Sequence, residues 1–151
     1  MTKEIQLTKG QVALVDDEDY EKLSTTKWRA VSYGYAISID GEKGLLMHRV
    51  VMNAKKGEIV DHKNHNTSDN RKENLRIVTH AQNMMNRKRN SNCTLPKGVE
   101  KVLNRYRACI SKDGKKIHLG TYSSISEAAK VYNKKAVELF GEFAWIEDNE
   151  A

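Results

Sequence analysis

The feature that most constrains the fold is the pair Asp113-Gly114, which separates two eight-residue segments with largely alternating polar and apolar residues. Asp-Gly suits a two-residue hairpin turn, because both turn positions need positive φ angles that these residues adopt readily. The sequence therefore predicts strands over 105–112 and 115–122, and the run over 98–103 predicts a third strand beside them.

A helix is expected to cover one face of this sheet. Ser124 and Glu127 form a capping box, after which apolar residues recur with helical period as far as Phe140, and Gly141 ends the helix. A two-residue turn fixes the pairing of the strands and sorts their residues onto two faces. The face predicted to pack on the helix contains Tyr106, Ala108, Ile110, Ile117 and Leu119. The other face, predicted to be basic and open, contains Arg105, Arg107, Cys109, Ser111, Lys116 and His118.

The first third of the chain predicts a small α+β element, and its sequence contains no motif that indicates a chemical function. Residues 4–15 are typical of extended structure with a break at Gly10, and Asp16 is a candidate N-cap for a short helix that begins with acidic residues. The remaining predictions for this part are strands over 28–30 and 33–39, a turn over 40–44, and either a strand or a short helix over 45–53.

The middle of the chain predicts the order strand, long polar loop, strand, helix. The strands are expected over 58–62 and 75–78, with an Asn- and Asp-rich loop over 63–74 between them. A Thr-x-x-Gln capping box at 79–82 opens a helix that runs to about Arg89.

The chain as a whole is therefore assigned to the α+β class. Its predicted parts are an N-terminal α+β element over 1–44, a ββα unit over 45–90, a linker over 91–96, a domain of three antiparallel strands packed on one helix over 97–145, and an acidic tail over 146–151.

Positive charge is concentrated in the middle of the chain. The net charge is +6, and residues 61–119 carry 14 Lys and Arg against 5 Asp and Glu, whereas residues 120–151 carry 3 against 6. A basic block of this kind favours a surface that binds a polyanion. A solvated coat of lysines would give the same count, and that alternative stays open.

Composition argues against several other classes of function. No apolar run approaches the roughly 18 residues of a membrane span, and the first residues lack the apolar core of a signal peptide. The two cysteines, Cys93 and Cys109, form no CxxC pair, so neither a disulfide framework nor a Cys-based zinc site is predicted. We expect a cytoplasmic protein that binds no membrane, and nothing in the sequence implies a protein partner.

Ligand-type side chains are densest between residues 61 and 83. Asp61 and His62 end a predicted strand, and the side-chain amides of Asn74 and Asn83 follow. Adjacent residues of a strand point to opposite faces, so both can serve one cleft only where the strand ends. A carboxylate and an amide oxygen are hard ligands, which suit Mg²⁺ or Mn²⁺ better than zinc.

This segment resembles the HNH nucleases, in particular the homing-type branch of phages and introns with a ββα-metal motif. Asp61, His62, Asn74 and Asn83 fall at the family's spacing, while His65 stands where relatives often carry a small turn residue. The flanking text that also matches is His48-Arg49, Val60-Asp61-His62-Lys63-Asn64, Asp69-Asn70-Arg71 and Glu73-Asn74-Leu75-Arg76.

The resemblance implies hydrolysis of a DNA phosphodiester with one divalent ion, in a bacterial or phage-infected cell. It assigns His62 as the general base that takes a proton from water, and Asn74 as the residue that holds the imidazole in its productive orientation. It assigns Asp61 and Asn83 as the metal ligands, with Mg²⁺ or Mn²⁺ as the ion.

Residues 97–145 resemble the DNA-binding domain of plant ethylene-response factors, which also occurs fused to HNH nucleases of phages and bacteria. The matching text is Lys97-Gly98-Val99, Tyr106-Arg107-Ala108, Ile117 to Tyr122, Glu127-Ala128-Ala129 with Tyr132, and Phe140 to Ala144.

By position, this second resemblance places Lys97, Lys116, His118 and Thr121 at the DNA. Glu100 and Val102 stand where the plant proteins have arginines, and Cys109 and Ser111 replace polar or charged contacts. The plant target sequence is therefore not expected.

The predicted partner is double-stranded DNA, contacted in part through the grooves and phosphates beside the sheet. Two alternatives stay open, a non-catalytic DNA-binding regulator that keeps the HNH unit as a scaffold, and an RNA-binding protein. The second is disfavoured because no aromatic pair on the open sheet face could stack bases. The residues predicted to contact DNA are Arg49, Arg71, Arg87, Lys97, Arg105, Arg107, Lys116, His118 and Thr121.

Overall fold

The computed structural model of the protein describes residues 1–40, 44–89 and 92–146. These residues form both helices and strands, which confirms the α+β class. The chain divides into two units, Met1–His80 and Ala81–Ala151. Among the residues described, no helix has the length and apolar character needed to cross a bilayer.

The first unit begins with a β-hairpin and a short helix. Strands β1 (Thr2–Gln6) and β2 (Val12–Asp16) are antiparallel, and a 3-10 turn at Thr8–Gly10 joins them. The predicted break at Gly10 is confirmed, since its φ is +72°. Helix α1 (Asp17–Ser24) follows directly.

Asp16 occupies the predicted N-cap position of α1, but its side chain does not cap the helix. Its carboxylate instead accepts a hydrogen bond from the backbone N–H of Lys72 at 2.8 Å. A long-range contact has therefore replaced the local one that the sequence predicted.

A second small sheet and a helix complete the N-terminal part. Strands β3 (Trp28–Ala30) and β4 (Ala36–Ser38) are antiparallel, and β4 is shorter than predicted because a 3-10 turn occupies Ser32–Gly34. Helix α2 (Met47–Val51) resolves the ambiguity over 45–53 in favour of a helix. The predicted turn over 40–44 falls in part on residues 41–43, which lie outside the described residues.

The predicted order of strand, loop, strand and helix is confirmed in the middle of the chain. Strands β5 (Ile59–His62) and β6 (Leu75–Val78) pair in antiparallel fashion, with a polar loop between them. Helix α3 (His80–Asn86) begins where the first unit ends, and it stops about one turn earlier than predicted. We call residues 63–74 the polar loop.

One hydrophobic core serves the whole first unit. It joins residues on both sides of the predicted boundary at 44/45, so the N-terminal element and the strand after the polar loop pack together. Its buried members are Ile5, Leu7, Ala13, Val15, Leu23, Trp28, Ala36, Met47, Val51 and Leu75.

The second unit contains the predicted three-stranded sheet. Strands β7 (Val99–Val102), β8 (Arg105–Lys112) and β9 (Lys115–Tyr122) are antiparallel in that order. The turn residues Asp113 and Gly114 have φ angles of +51° and +74°, as a two-residue hairpin turn requires.

Helix α4 (Ile125–Phe140) packs on this sheet and has the predicted caps. Ser124 Oγ accepts the backbone N–H of Glu127 at 3.2 Å, and the Glu127 carboxylate accepts the backbone N–H of Ser124 at 3.3 Å. Gly98 lies just before β7, where the strand approaches the helix, and a Cβ there would overlap the Tyr132 ring. A side chain at this position would therefore separate strand and helix.

Two side chains of the sheet differ from the prediction. Ile117 is 37% exposed, because the cores under α4 include Ile110 and Leu119 but do not extend over it. Cys109 is buried although its face was predicted to be open. The pairing of β8 with β9 shifts register between Ala108 and Cys109, so the simple alternation of faces that the two-residue turn predicts is interrupted at this residue.

Candidate active site

His62 is the last residue of β5, and its side chain is almost completely buried. It is 4% exposed and pairs across the sheet with Leu75. Its Nε2 lies 3.2 Å from Oδ1 of Asn70, which is itself 1% exposed. An amide oxygen carries no proton, so Nε2 must be the donor in this bond.

Two aromatic side chains from other parts of the first unit surround the His62 ring. The ring centroids of His48 in α2 and of Tyr35 beside β4 lie 5.1 Å and 5.9 Å from that of His62, and they lie 5.3 Å from each other. Both contacts to His62 are edge-on, an arrangement that aromatic pairs favour. The imidazole is thereby held in a packed, largely dry setting.

Burial favours the neutral form of both imidazoles. It lowers the pKa of His48 to about 4, and the neighbouring His62 and Arg49 lower it further in the same direction. Burial also lowers the pKa of His62, opposed by the bond to Asn70 and by the negative charges of Asp61 and Asp69. A neutral imidazole has one nitrogen lone pair, which is what a general base needs.

Asp61 precedes His62 on β5 and forms an ion pair across the sheet. Arg76, its partner in the β5–β6 register, donates from Nε at 3.0 Å and from Nη2 at 2.9 Å to the same oxygen, Asp61 Oδ2. Both side chains are 10% exposed. The carboxylate predicted to bind metal is therefore held in a fixed orientation by a cross-strand arginine.

The negative charge of Asp61 also reaches Tyr35. Burial raises the pKa of the Tyr35 hydroxyl above its usual value, and the Asp61 carboxylate raises it further. The phenol therefore stays protonated at neutral pH and can act as a hydrogen-bond donor.

Asn74 is buried at the end of the polar loop, and its described bonds go to the loop backbone. Its Nδ2 donates to the carbonyl of Asp69 at 2.8 Å, and its Oδ1 accepts the backbone N–H of Asn64 at 3.0 Å. These bonds fix the shape of the polar loop. The contact to the His62 ring that is described comes from Asn70, four residues earlier.

The polar loop is also bonded to the N-terminal hairpin. Leu14 in β2 donates its N–H to the carbonyl of Ser68 and accepts the N–H of Asn70, both at 2.8 Å. No local sequence pattern predicts this contact, because it joins segments more than fifty residues apart.

Arg49 and Arg71, two of the residues predicted to contact DNA, make internal bonds. Arg49 donates to the backbone carbonyls of Lys55 and Glu58. Arg71 donates from Nε and Nη2 to the two carboxylate oxygens of Asp69, both at 2.8 Å. This guanidinium lowers the pKa of Asp69.

The remaining predicted residues lie in the second unit. Asn83 is a half-buried residue of α3, and Arg87 is exposed just beyond the end of that helix. Lys97 donates from Nζ to the backbone carbonyls of Met85 and Arg87, both at 2.8 Å. Lys97 thus satisfies backbone carbonyl groups at the C-terminal end of α3.

The face of the sheet predicted to meet DNA brings its polar side chains together. The register aligns Glu100 with Arg107 and Arg107 with Thr121 across the three strands. Lys116 Nζ lies 2.6 Å from the Glu100 carboxylate, an exposed ion pair. We call this surface the basic face, defined by Glu100, Arg105, Arg107, Lys116, His118 and Thr121.

The donor atoms of the two candidate metal ligands are of the type that hard cations prefer. Asp61 offers a carboxylate and Asn83 an amide oxygen, which are donors that Mg²⁺ and Mn²⁺ accept. Within residues 1–40, 44–89 and 92–146, no group of three or more His, Cys, Asp and Glu side chains could hold a metal ion. The described residues therefore offer no zinc-type cluster as a competing metal site.

Comparison with known proteins identifies the family of the chain. A family model described as HNH endonuclease matches residues 45–85. A protein of Acanthamoeba polyphaga mimivirus, named uncharacterized HNH endonuclease L560, is 36% identical over 143 residues, covering 90% of this chain and 74% of the viral protein. No solved structure matches the chain with significance.

The chain belongs to the HNH endonuclease family. It is therefore an endonuclease, whose substrate is DNA, and HNH nucleases generally depend on a divalent metal ion. The segment that the family model matches contains β5, the polar loop, β6 and most of α3, and it includes His62.

Proposed function

We propose that this endonuclease hydrolyses a DNA phosphodiester with one divalent ion and with His62 as the general base. The observation that carries the proposal is the state of His62. It is buried, its pKa is lowered, its Nε2 lies 3.2 Å from the amide oxygen of Asn70, and it follows a carboxylate on the same strand.

The side chains of the site have separate roles in this reaction. His62 accepts a proton from the water whose oxygen attacks phosphorus, and the bond from phosphorus to the 3′ oxygen breaks. Arg76 holds the Asp61 carboxylate in one orientation. Asn74 keeps the polar loop folded through its bonds to the backbone.

The divalent ion would be Mg²⁺ or Mn²⁺ held by Asp61 and Asn83, an assignment that rests on the sequence pattern. When bound, such an ion supplies positive charge that stabilises the negative charge developing on the phosphate and on the leaving oxygen.

The test is relaxation of supercoiled plasmid by the wild type and by His62→Ala, with Mg²⁺, with Mn²⁺ and with EDTA. His62→Ala should lose about 10² to 10⁴ in cutting rate while it still binds DNA, since removal of a general base has effects of that size. EDTA should stop the wild type. His80→Ala is the matched control, because His80 is exposed at the start of α3. Unchanged cutting by His62→Ala would overturn the proposal.

We further propose that the basic face binds duplex DNA, in the manner implied by the likeness to ethylene-response-factor domains. Its side chains come from paired strands and are exposed or half-buried, which leaves them accessible to phosphates and groove edges. Five of its six members lie within the basic block of residues 61–119, and three of these five are Arg or Lys.

Removal of single positive charges from the basic face tests this second proposal. Arg105→Ala and Lys116→Ala should each weaken binding and lower the slope of log K against log salt by about 1, if each side chain neutralises one phosphate. Lys22→Ala on α1 removes a charge elsewhere and should leave the slope unchanged. Unchanged slopes in both variants of the basic face would contradict its role.

A further inference from the structure

The polar loop contains a buried amide side chain, that of Asn70, to which the proposed mechanism gives no role. Asn70 is 1% exposed, which makes it one of the largest fully buried side chains of the protein. A buried amide is expensive unless its donors and acceptor are bonded. The hydrogen bonds of the Asn70 amide therefore indicate why this side chain is buried here.

Both ends of the Asn70 amide have partners. Oδ1 faces His62 Nε2 at 3.2 Å, and Nδ2 donates to the carbonyl of Ser68 at 3.4 Å. The second bond fixes which end of the amide is oxygen, because a rotated amide would set its oxygen against the Ser68 carbonyl. With oxygen towards the ring, His62 must carry its proton on Nε2.

The backbone of Asn70 is held as firmly as its side chain. Its N–H donates to the carbonyl of Leu14 in β2, while Leu14 donates to Ser68 on the other side. Two residues on, the Lys72 N–H donates to Asp16 at the end of the same strand. The N-terminal hairpin thus anchors the segment that presents Oδ1 to the imidazole.

We propose that Asn70 is the positioning residue of His62: its Oδ1 accepts the Nε2–H and so places the lone pair of the imidazole on Nδ1. This inference rests on the proposed function of His62 as a general base. It assigns to Asn70 the orienting contact that the family resemblance gave to Asn74, and it assigns to the N-terminal hairpin the role of holding Asn70 in place.

The first experiment reads the tautomer of His62 in the wild-type protein. Side-chain ¹⁵N NMR, assigned with His62→Gln, distinguishes a protonated ring nitrogen from one that bears a lone pair. At a pH where the ring is neutral, we expect the proton on Nε2 and the lone pair on Nδ1. A proton on Nδ1 would overturn the inference, whatever His62→Ala does to the cutting rate.

The second experiment measures single-turnover cutting and DNA affinity in variants of Asn70. Asn70→Leu keeps the volume and loses the acceptor, so cutting should fall on the order of 10²-fold with DNA affinity unchanged, as expected for a misplaced catalytic group. Asn70→Asp restores an acceptor oxygen and should recover most of the rate. Asn66→Ala, which removes an exposed bond of the same loop, is the control.

The two experiments separate the positioning role from a structural one. A merely structural Asn70 would lower both cutting and DNA affinity, and Asn70→Asp would rescue neither. Wild-type cutting by a folded Asn70→Leu would overturn the inference. Wild-type cutting by His62→Ala would instead overturn the proposed function, while the tautomer measured in the wild type would still report the contact.

Discussion

The polar loop and the basic face use the same kinds of side chain in opposite ways. In the polar loop, Asp69, Asn70 and Asn74 are each at most 6% exposed, and their polar atoms bond within the first unit. On the basic face, Lys116 and His118 are exposed. Buried polar networks give fixed geometry, whereas exposed charges give long-range attraction that salt weakens. The comparison shows that the polar loop has a fixed geometry within the protein, whereas the basic face presents its charges to solvent.

The largest expected difference between the two regions is in stability. Asp69→Ala removes the buried one of the two carboxylates paired with Arg71 and leaves the Asn64 amide without its acceptor, and we expect a loss of about 3 kcal/mol in the free energy of unfolding. Glu100→Ala breaks the exposed pair with Lys116 and should have no measurable effect. Urea unfolding of both variants measures these effects. Equal losses in the free energy of unfolding would contradict the difference between the polar loop and the basic face.

The second expected difference is in the response to pH. The pKa of His48 is about 4 in the folded protein and about 6.5 in an unfolded chain, so unfolding takes up a proton between these values. The contribution of neutral His48 to the free energy of unfolding is therefore complete above pH 6.5. It is lost as the pH falls towards 4, and the loss is about 3 kcal/mol at most.

His48→Phe keeps a ring in the cluster and removes the titration, so its stability should fall less over this pH range. The exposed His118→Phe serves as the control on the basic face and should retain the wild-type dependence. Urea unfolding at several pH values between 4 and 7.5 measures the difference. Parallel curves for wild type and His48→Phe would contradict the assignment.

The smallest expected effect is on the basic face. Glu100→Gln removes the negative charge that lowers the local positive potential and pairs with Lys116. DNA binding should become a few-fold tighter at low salt, and the difference should shrink as salt is added. Titration of labelled duplex at two salt concentrations measures this. Weaker binding by Glu100→Gln would show that Glu100 itself contacts the DNA.

Local patterns predicted the elements that depend on neighbouring residues. The Asp113-Gly114 turn and the Ser124–Glu127 capping box lie within four residues of chain, and the structure confirms both. The order of β5, the polar loop and β6 was likewise readable from composition. These features required no knowledge of tertiary packing.

The contacts around His62 could not be read in this way. Tyr35 and Arg76 reach the site through the fold and through the strand register, and Asn70 is placed by hydrogen bonds to β2. Asp16 shows the same limit, since a contact to Lys72 overrides its local role as a cap. Sequence patterns identified the candidate base, whereas tertiary structure identified the residues that hold it.

Chemical rescue of His62 tests the central claim most directly. His62→Gly removes the imidazole and leaves space for one to bind. We expect single-turnover cutting with Mg²⁺ to fall by about 10² to 10⁴ and to recover in part when free imidazole is added, with DNA affinity unchanged throughout. Cutting by His62→Gly at the wild-type rate without imidazole would show that this side chain does not take the proton.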